Sequence, residues 1–149
     1  MDKEELQAIL QEHAKWVWSC EEEGIRANLK NADLSYTDLR YADLACADLS
    51  GANLKGADLN CANLKGARLQ DADLSYADLS GVNLIYTNLK YACLANAKLA
   101  HATIMGTDLR GADLTGVDLC DTDLTDADLR GADLTIVDYI EENLEIAKL

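Results

Sequence analysis

Signatures of catalysis and metal binding are scarce in this sequence. It has only two histidines, His13 and His101, far apart along the chain, and no phosphate-binding loop, dinucleotide fingerprint or zinc motif. Catalysis needs a concave pocket with converging polar groups, which these residues do not supply. We therefore expect no enzyme activity, no catalytic residues, no cofactor and no metal.

Features of exported and membrane proteins are missing as well. The apolar runs are far too short for a membrane-spanning helix, and the first residues are acidic, unlike a secretory signal. The cysteines are odd in number and have no metal-ligand spacing. These observations predict a cytoplasmic protein with reduced thiols and no membrane partner. The five thiols belong to Cys20, Cys46, Cys61, Cys93 and Cys120.

Leucine, in contrast, recurs every five residues from Leu29 to Leu134, with Ile104 as the single exception. Residues 27–136 form twenty-two consecutive five-residue units without an insertion. Two residues before each leucine is Ala, Thr or Val, and one residue before it is mostly Asp or Asn. Eight of the nine glycines occupy the last position of a unit. Four units depart from Asp or Asn at this position, with Arg68, Cys93, Lys98 and Thr103.

A period of five fits neither a helix nor a flat strand. On an α-helix five residues leave a net rotation of about 140°, so the leucines would spread around the whole surface. On a strand, successive leucines would point to opposite faces. A short extended piece followed by a corner keeps the small residue and the leucine inside and the Asp or Asn outside. Right-angle corners then require four units in each coil.

The pattern resembles the motif of the pentapeptide repeat family: small residue, Asp/Asn, Leu/Phe, polar residue, then Gly or another residue. The resemblance covers residues 27–136 and implies an all-β solenoid, a right-handed, four-sided (quadrilateral) parallel β-helix. Relatives of cyanobacterial type carry a His and a Trp in a short helix before the first repeat, as here. One wall of the predicted core would hold Leu29, Leu49, Leu69, Leu89, Leu109 and Leu129.

The two ends of the chain depart from the repeat. Residues 1–25 are predicted to form an amphipathic capping helix and a linker, with Asp2 and Glu5 in a capping box. We expect Trp16 and Trp18 to close over the first coil, because a bare coil end invites aggregation. The alternative is a helix that binds a partner. Residues 26–136 are assigned to the β-helix, and residues 137–149 to a C-terminal cap, a frayed side or a surface for homodimerisation; monomer and homodimer both stay open.

The net charge of −14 raises the alternative of a DNA mimic, since some pentapeptide repeat proteins inhibit DNA gyrase in this way. Residues 26–136 hold sixteen acids and ten bases. Their rod would be about 26 Å long, a length over which duplex DNA carries roughly fifteen negative charges. The rod is thus much less charged than DNA. Its sign also disfavours direct binding of nucleic acid.

One coil differs from the rest: no acidic residue occurs between Asp78 and Asp108. We call this segment, residues 79–107, the girdle. On an otherwise acidic rod, a neutral-to-basic, partly apolar girdle is a candidate protein-binding patch, although neutral drift in a repeat array would give the same pattern. The sequence therefore predicts a non-catalytic scaffold for an unidentified protein partner. The candidate partner-binding residues are Ile85, Tyr86, Lys98, His101 and Met105.

Overall fold

The computed structural model describes residues 1–119, 121–135, 147 and 148. Within these residues there is one helix, α1, at Lys3–Trp18. The Asp2 side chain accepts a hydrogen bond from the Glu5 backbone N–H at 2.8 Å, which confirms the predicted N-terminal cap of this helix. Ser19 ends the helix, and a turn with Gly24 leads into the first repeat.

Strand pairing consists of single-residue parallel bridges, and each joins residues twenty apart, from Asn28–Asp48 to Asp128–Lys148. Four repeats therefore make one coil, as predicted. The outward residues that stack on one side define a wall. We number the walls in chain order: wall 1 contains residues 28, 48, 68, 88, 108 and 128; wall 2 contains 33 to 133; wall 3 contains 38 to 118; and wall 4 contains 43 to 123, each in steps of twenty.

The central leucines form a dry column inside these walls. From Leu29 to Leu129 the central residues are at most 2% exposed, including all six predicted for the core of wall 1. The small residues two positions earlier are buried beside them in most units. Two buried threonines at these small positions, Thr87 and Thr107, donate their hydroxyls to Leu64 and Leu84 carbonyls at 2.7 Å. Their polar atoms are thus satisfied inside the core.

The hydrogen bonds of one unit explain why Asp and Asn recur. In the unit 52–56, the Ala52 N–H closes the preceding turn, and the Asn53 N–H bonds to the coil below. The Leu54 and Gly56 N–H groups bond to the coil above. The Lys55 N–H points into the turn and donates to Asn53 Oδ1 at 3.1 Å. The outward side chain thus accepts the one amide that the coils leave over, as expected for an Asx turn.

Helix α1 covers the first coil chiefly through Leu6 and His13, which are 8% and 0% exposed. His13 Nδ1 accepts the Ala27 N–H at 3.1 Å, where the first repeat begins. Trp16 stacks on the His13 ring at 5.6 Å. The prediction that both tryptophans close over the coil is wrong for Trp18, which is 84% exposed. Trp18 lies at the last residue of α1, so it falls outside the buried stripe of the helix.

Pairing reaches beyond residue 136, the predicted last residue of the repeats. The Lys148 N–H donates to the Ala127 carbonyl at 2.8 Å, and the Leu129 N–H donates to the Lys148 carbonyl at 2.7 Å. Lys148 thus occupies the outward position above Asp128 on wall 1. The predicted cap, tail or dimer surface at 137–149 otherwise lies outside the described residues.

Truncation of one leucine tests the dry column. Leu84→Ala should lower the free energy of unfolding by about 2–5 kcal/mol, because a fully buried leucine leaves a cavity between rigid coils. Denaturant-induced unfolding followed by circular dichroism measures the change. Lys65→Ala, on the outside of the adjacent coil, is the control and should change the free energy by less than about 0.5 kcal/mol. Equal effects of the two substitutions would contradict a packed interior.

The contact between helix α1 and the first coil should weaken at acidic pH. Burial lowers the pKa of His13, with Asp43 opposing and Arg26 adding to the shift. The undocked state therefore binds more protons than the docked state, so stability present above about pH 6.5 is lost as the pH falls further. Tryptophan fluorescence reports on this directly, because both tryptophans are in α1. His13→Gln should remove the pH dependence and His101→Gln should keep it; the reverse result would contradict the assignment.

Candidate functional site

Three of the predicted partner-binding residues lie together at the corner between walls 4 and 1. Ile85 and Met105 occupy the same turn position in successive coils and are half-buried. Tyr86 follows Ile85, donates its N–H to the Met105 carbonyl at 3.1 Å and keeps its side chain 66% exposed. We call this cluster of Ile85, Tyr86 and Met105 the apolar corner. It presents an aromatic ring beside two apolar side chains.

The other two predicted residues lie away from the apolar corner. His101 is exposed at the corner between walls 3 and 4, so the width of wall 4 separates it from Met105. Lys98 stands on wall 3, where its Nζ lies 3.5 Å from Asp78 Oδ2. The girdle is therefore a band around the rod, and only part of it belongs to the apolar corner.

The tyrosine rings of the girdle lie over glycines of the next coil. A Cβ at Gly106 would come within 2.7 Å of the Tyr86 ring, and a Cβ at Gly111 within 2.6 Å of the Tyr91 ring. Tyr36 lies over Gly56 in the same way. Space for a neighbouring side chain therefore explains these glycines, since Asp126 adopts a similar positive φ of 58° without being glycine. Pairs of Tyr and Gly twenty residues apart are the sequence signal of this packing.

Three turn amides of the girdle, like the Gln70 amide after Arg68, lack the hydrogen bond that an outward Asp or Asn supplies in most units. Where Cys93, Lys98 and Thr103 replace Asp or Asn, the amides two residues later have no acceptor among the described residues. These amides belong to Ala95, Ala100 and Met105, all half-buried. A partner that covers the girdle would meet N–H groups without an intramolecular acceptor.

A ladder of ion pairs runs along wall 1 and was not predicted from the sequence. Arg110 binds Asp108 through two hydrogen bonds of 2.8 Å. Arg130 binds Asp128 in the same bidentate manner at 2.8 and 2.7 Å. Lys90 Nζ lies 3.3 Å from Asp108, and Arg110 Nε lies 3.6 Å from Asp128. Basic residues recurring two positions after an outward Asp or Asn, with a period of twenty, are the sequence signal of the ladder.

These pairs hold the carboxylates of the ladder in their charged form. The hydrogen bond from Arg110 lowers the pKa of Asp108, and the hydrogen bond from Arg130 lowers the pKa of Asp128. On wall 3, a bidentate pair with Arg40 lowers the pKa of Asp38 to about 2. Part of the acidic surface is thus neutralised by its own neighbours. Such exposed pairs contribute little to stability, but they fix the positions of the guanidinium groups.

Two depressions lie beside helix α1. A cleft of about 620 Å³ opens between α1 and the first coil, over Leu6, Leu10 and Leu34. A second cleft of about 300 Å³ lies on the other side of α1, near Ile9 and Ile25. Among the described residues, no group of three or more His, Cys, Asp or Glu side chains could hold a metal ion. Within the same residues, α1 does not meet the length and apolarity that crossing a bilayer requires.

The model of the family described as pentapeptide repeats matches residues 25–60, 62–100 and 102–137. The chain belongs to the pentapeptide repeat family. This membership confirms the resemblance inferred from the leucine period and the right-handed, four-sided β-helix with its N-terminal helix. It makes the protein a pentapeptide repeat scaffold, a class that is generally structural and not enzymatic.

Solved structures show the same fold. The chain is 36% identical to a pentapeptide repeat protein from the thylakoid lumen of Arabidopsis thaliana, over 71% of this chain and 70% of that one, with a TM-score of 0.54. It is 25% identical to the pentapeptide repeat protein Rfr23 from the cyanobacterium Cyanothece 51142, over 91% and 97% of the chains, with a TM-score of 0.58. No curated protein matches the sequence.

Replacement of Gly106 tests whether the pentapeptide repeat scaffold positions the Tyr86 ring. Gly106→Ala should lower the free energy of unfolding by about 1–2 kcal/mol, through backbone strain and displacement of the ring. Gly131→Ala is the matched control, because Gly131 has a similar φ of 72° and no atom within 4 Å of the position that an added Cβ would take. Gly131→Ala should therefore lower the free energy of unfolding through backbone strain alone. Equal losses in thermal or denaturant unfolding would show that the ring does not occupy this space.

Proposed function

We propose that this pentapeptide repeat protein is a non-catalytic scaffold that binds a protein partner on the wall of its β-helix, at the girdle. The apolar corner carries the proposal. An exposed tyrosine beside two half-buried apolar side chains is the kind of surface found at the centre of protein interfaces, where aromatic residues and methionine are enriched and charges are depleted.

The free amides of the girdle support the same location. Ala95, Ala100 and Met105 offer backbone donors that their own units leave without an acceptor. A partner's carbonyl or carboxylate oxygens could satisfy these donors, whereas most other turn amides of the rod already donate to an outward Asp or Asn side chain. The Met105 amide also lies in the apolar corner, so apolar and polar recognition meet at one place.

A regulator of a DNA-binding enzyme that mimics DNA is the alternative. Its supporting observation is the acidic last third of the chain, where the outward positions 108, 113, 118, 123, 128 and 133 are all Asp. The ion pairs of wall 1 argue against it, because Arg110 and Arg130 neutralise two of these six carboxylates. Duplex DNA has no such alternation of sign.

We place the scaffold in the cytoplasm as part of the same proposal. The described cysteines are free, and Cys20, Cys46 and Cys61 are exposed. Exposed free thiols favour a reducing compartment.

Affinity capture with paired variants tests the proposed function. The immobilised protein is incubated with extract of its native host, and retained proteins are identified by mass spectrometry. Tyr86→Asp combined with Met105→Asp should abolish retention of the partner, because two charges would enter the apolar corner. Tyr41→Asp combined with Asn60→Asp adds the same charge at the corner between walls 3 and 4, where the Tyr41 N–H donates to the Asn60 carbonyl, and should leave retention unchanged.

Three outcomes would contradict the proposal. The partner could remain on the Tyr86→Asp/Met105→Asp variant, it could be lost from the control, or no protein could be retained by any variant. Inhibition of gyrase supercoiling at micromolar concentrations, insensitive to the girdle variant, would favour the DNA-mimic alternative instead.

A further inference from the structure

The charges of the rod are distributed unevenly among its walls. Walls 2, 3 and 4 each carry more acids than bases over residues 32–126. Wall 1 has the opposite balance between residues 27 and 131. The residues of each corner are counted here with the wall that they follow. The bases of wall 1 are Lys30, Arg68, Lys90, Arg110 and Arg130. Its acids are Asp48, Asp71, Asp108 and Asp128.

The basic side chains of wall 1 are ordered by the ladder and remain reachable. The side chains of Lys90, Arg110 and Arg130 are 34%, 39% and 58% exposed. Three cations share the two carboxylates of Asp108 and Asp128, so the ladder retains excess positive charge. Their fixed positions reduce the side-chain entropy that a partner must overcome on binding.

Tyrosines border this part of wall 1 on both sides. Tyr86 stands at the corner before Asn88 and Lys90, and Tyr91 stands at the corner after them. The two rings are 66% and 68% exposed. Tyr and Arg are the residue types that most often dominate the energy of protein interfaces. Because Tyr86 also belongs to the apolar corner, wall 1 continues the predicted partner site onto a basic surface.

Charge decides which partner fits. An acidic protein surface is repelled by walls 2, 3 and 4 and attracted by wall 1, so the field of the rod orients it onto one side. Nucleic acid fits less well, because the cations of wall 1 alternate with the carboxylates of Asp108 and Asp128. A nucleic acid strand carries a phosphate at every nucleotide, so some phosphates would lie opposite these carboxylates, whereas a protein surface can place its acids opposite the cations alone.

We propose that wall 1 between Tyr86 and Arg130, the surface bordered by Tyr86 and Tyr91 and lined by Lys90, Arg110 and Arg130, docks an acidic surface of the protein partner. This inference rests on the proposed function, which it deepens by naming the side of the rod and the chemistry of the partner. The apolar corner anchors one edge of the contact, and the ladder sets its orientation.

A defined acidic probe tests the wall directly. A short fluorescein-labelled poly-L-glutamate peptide is titrated with the full chain at low salt, and amide shifts of the ¹⁵N-labelled protein locate the contact. Shifts should concentrate at Lys90, Tyr91 and Arg110, and binding should weaken as salt is raised. Lys90→Glu combined with Arg110→Glu should weaken binding at least about tenfold.

The matched control reverses two cations elsewhere. Arg40→Glu combined with Lys65→Glu changes the same number of charges on walls 3 and 4 and should alter the affinity by less than about twofold beyond the shared change in net charge. Lys90→Gln combined with Arg110→Gln guards against misfolding from like charges in the ladder, and circular dichroism checks each variant. No binding of the peptide, equal weakening by both reversals, or tighter binding of single-stranded oligo-dT would overturn the inference.

Affinity capture of the partner distinguishes the inference about wall 1 from the proposed function. The Lys90→Glu/Arg110→Glu variant should lose the partner retained by the unchanged chain. If it keeps that partner while the Tyr86→Asp/Met105→Asp variant loses it, the inference about wall 1 fails and the proposed function stands. If no variant and no unchanged chain retains a protein, the proposed function fails independently of the peptide result.

Discussion

The fixed advance of twenty residues per coil is the constraint on which the rest of this structure depends. Every described bridge joins residues twenty apart, so each side chain lies above its counterpart from the preceding coil. A single inserted residue would move each later leucine out of the interior and replace it with a side chain meant for solvent. Register and burial are therefore one property here, and the interior leaves room for little besides Leu, Ala, Val and Thr.

Hydrogen bonding imposes a second, weaker restriction on the outside. Each five-residue unit leaves one turn amide without a partner in the neighbouring coils, and in most units an outward Asp or Asn accepts it, as Asn53 does for Lys55. Many of the outward Asp carboxylates therefore stabilise the turns of the β-helix. A departure such as Lys98 or Thr103 removes that acceptor and frees an amide. The core does not require such departures. At these positions the outward side chain no longer accepts the turn amide of its own unit.

The sequence predicts the fold well because the fold is one-dimensional. The leucine period determines the number of sides, and spacing by twenty assigns residues such as Ile85 and Met105 to one corner. Side-chain direction between coils is harder to predict, because it depends on neighbours that are distant in sequence. Two features depend on such contacts between coils. They are the ladder of Arg110 with Asp108 and Asp128 and the Tyr86 ring over Gly106.

The N-terminal helix shows the same limit. The prediction that Trp18 closes over the first coil fails, because its position at the end of the helix leaves it 84% exposed. Nothing in the local pattern shows that His13 Nδ1 accepts the first amide of the β-helix, since Ala27 is fourteen residues away. A contact of this kind follows from how the helix crosses the coil.

Net charge alone misrepresents a rod of this shape. The value of −14 describes the whole chain, whereas a partner that approaches the rod meets one wall at a time. Over residues 27–131 wall 1 carries five bases against four acids, and the three other walls are acidic. With a Debye length of about 10 Å in ordinary buffers, opposite sides of the rod are partly screened from each other. A square solenoid can thus present two electrostatic surfaces at once, because its corners separate columns that the sequence interleaves every five residues.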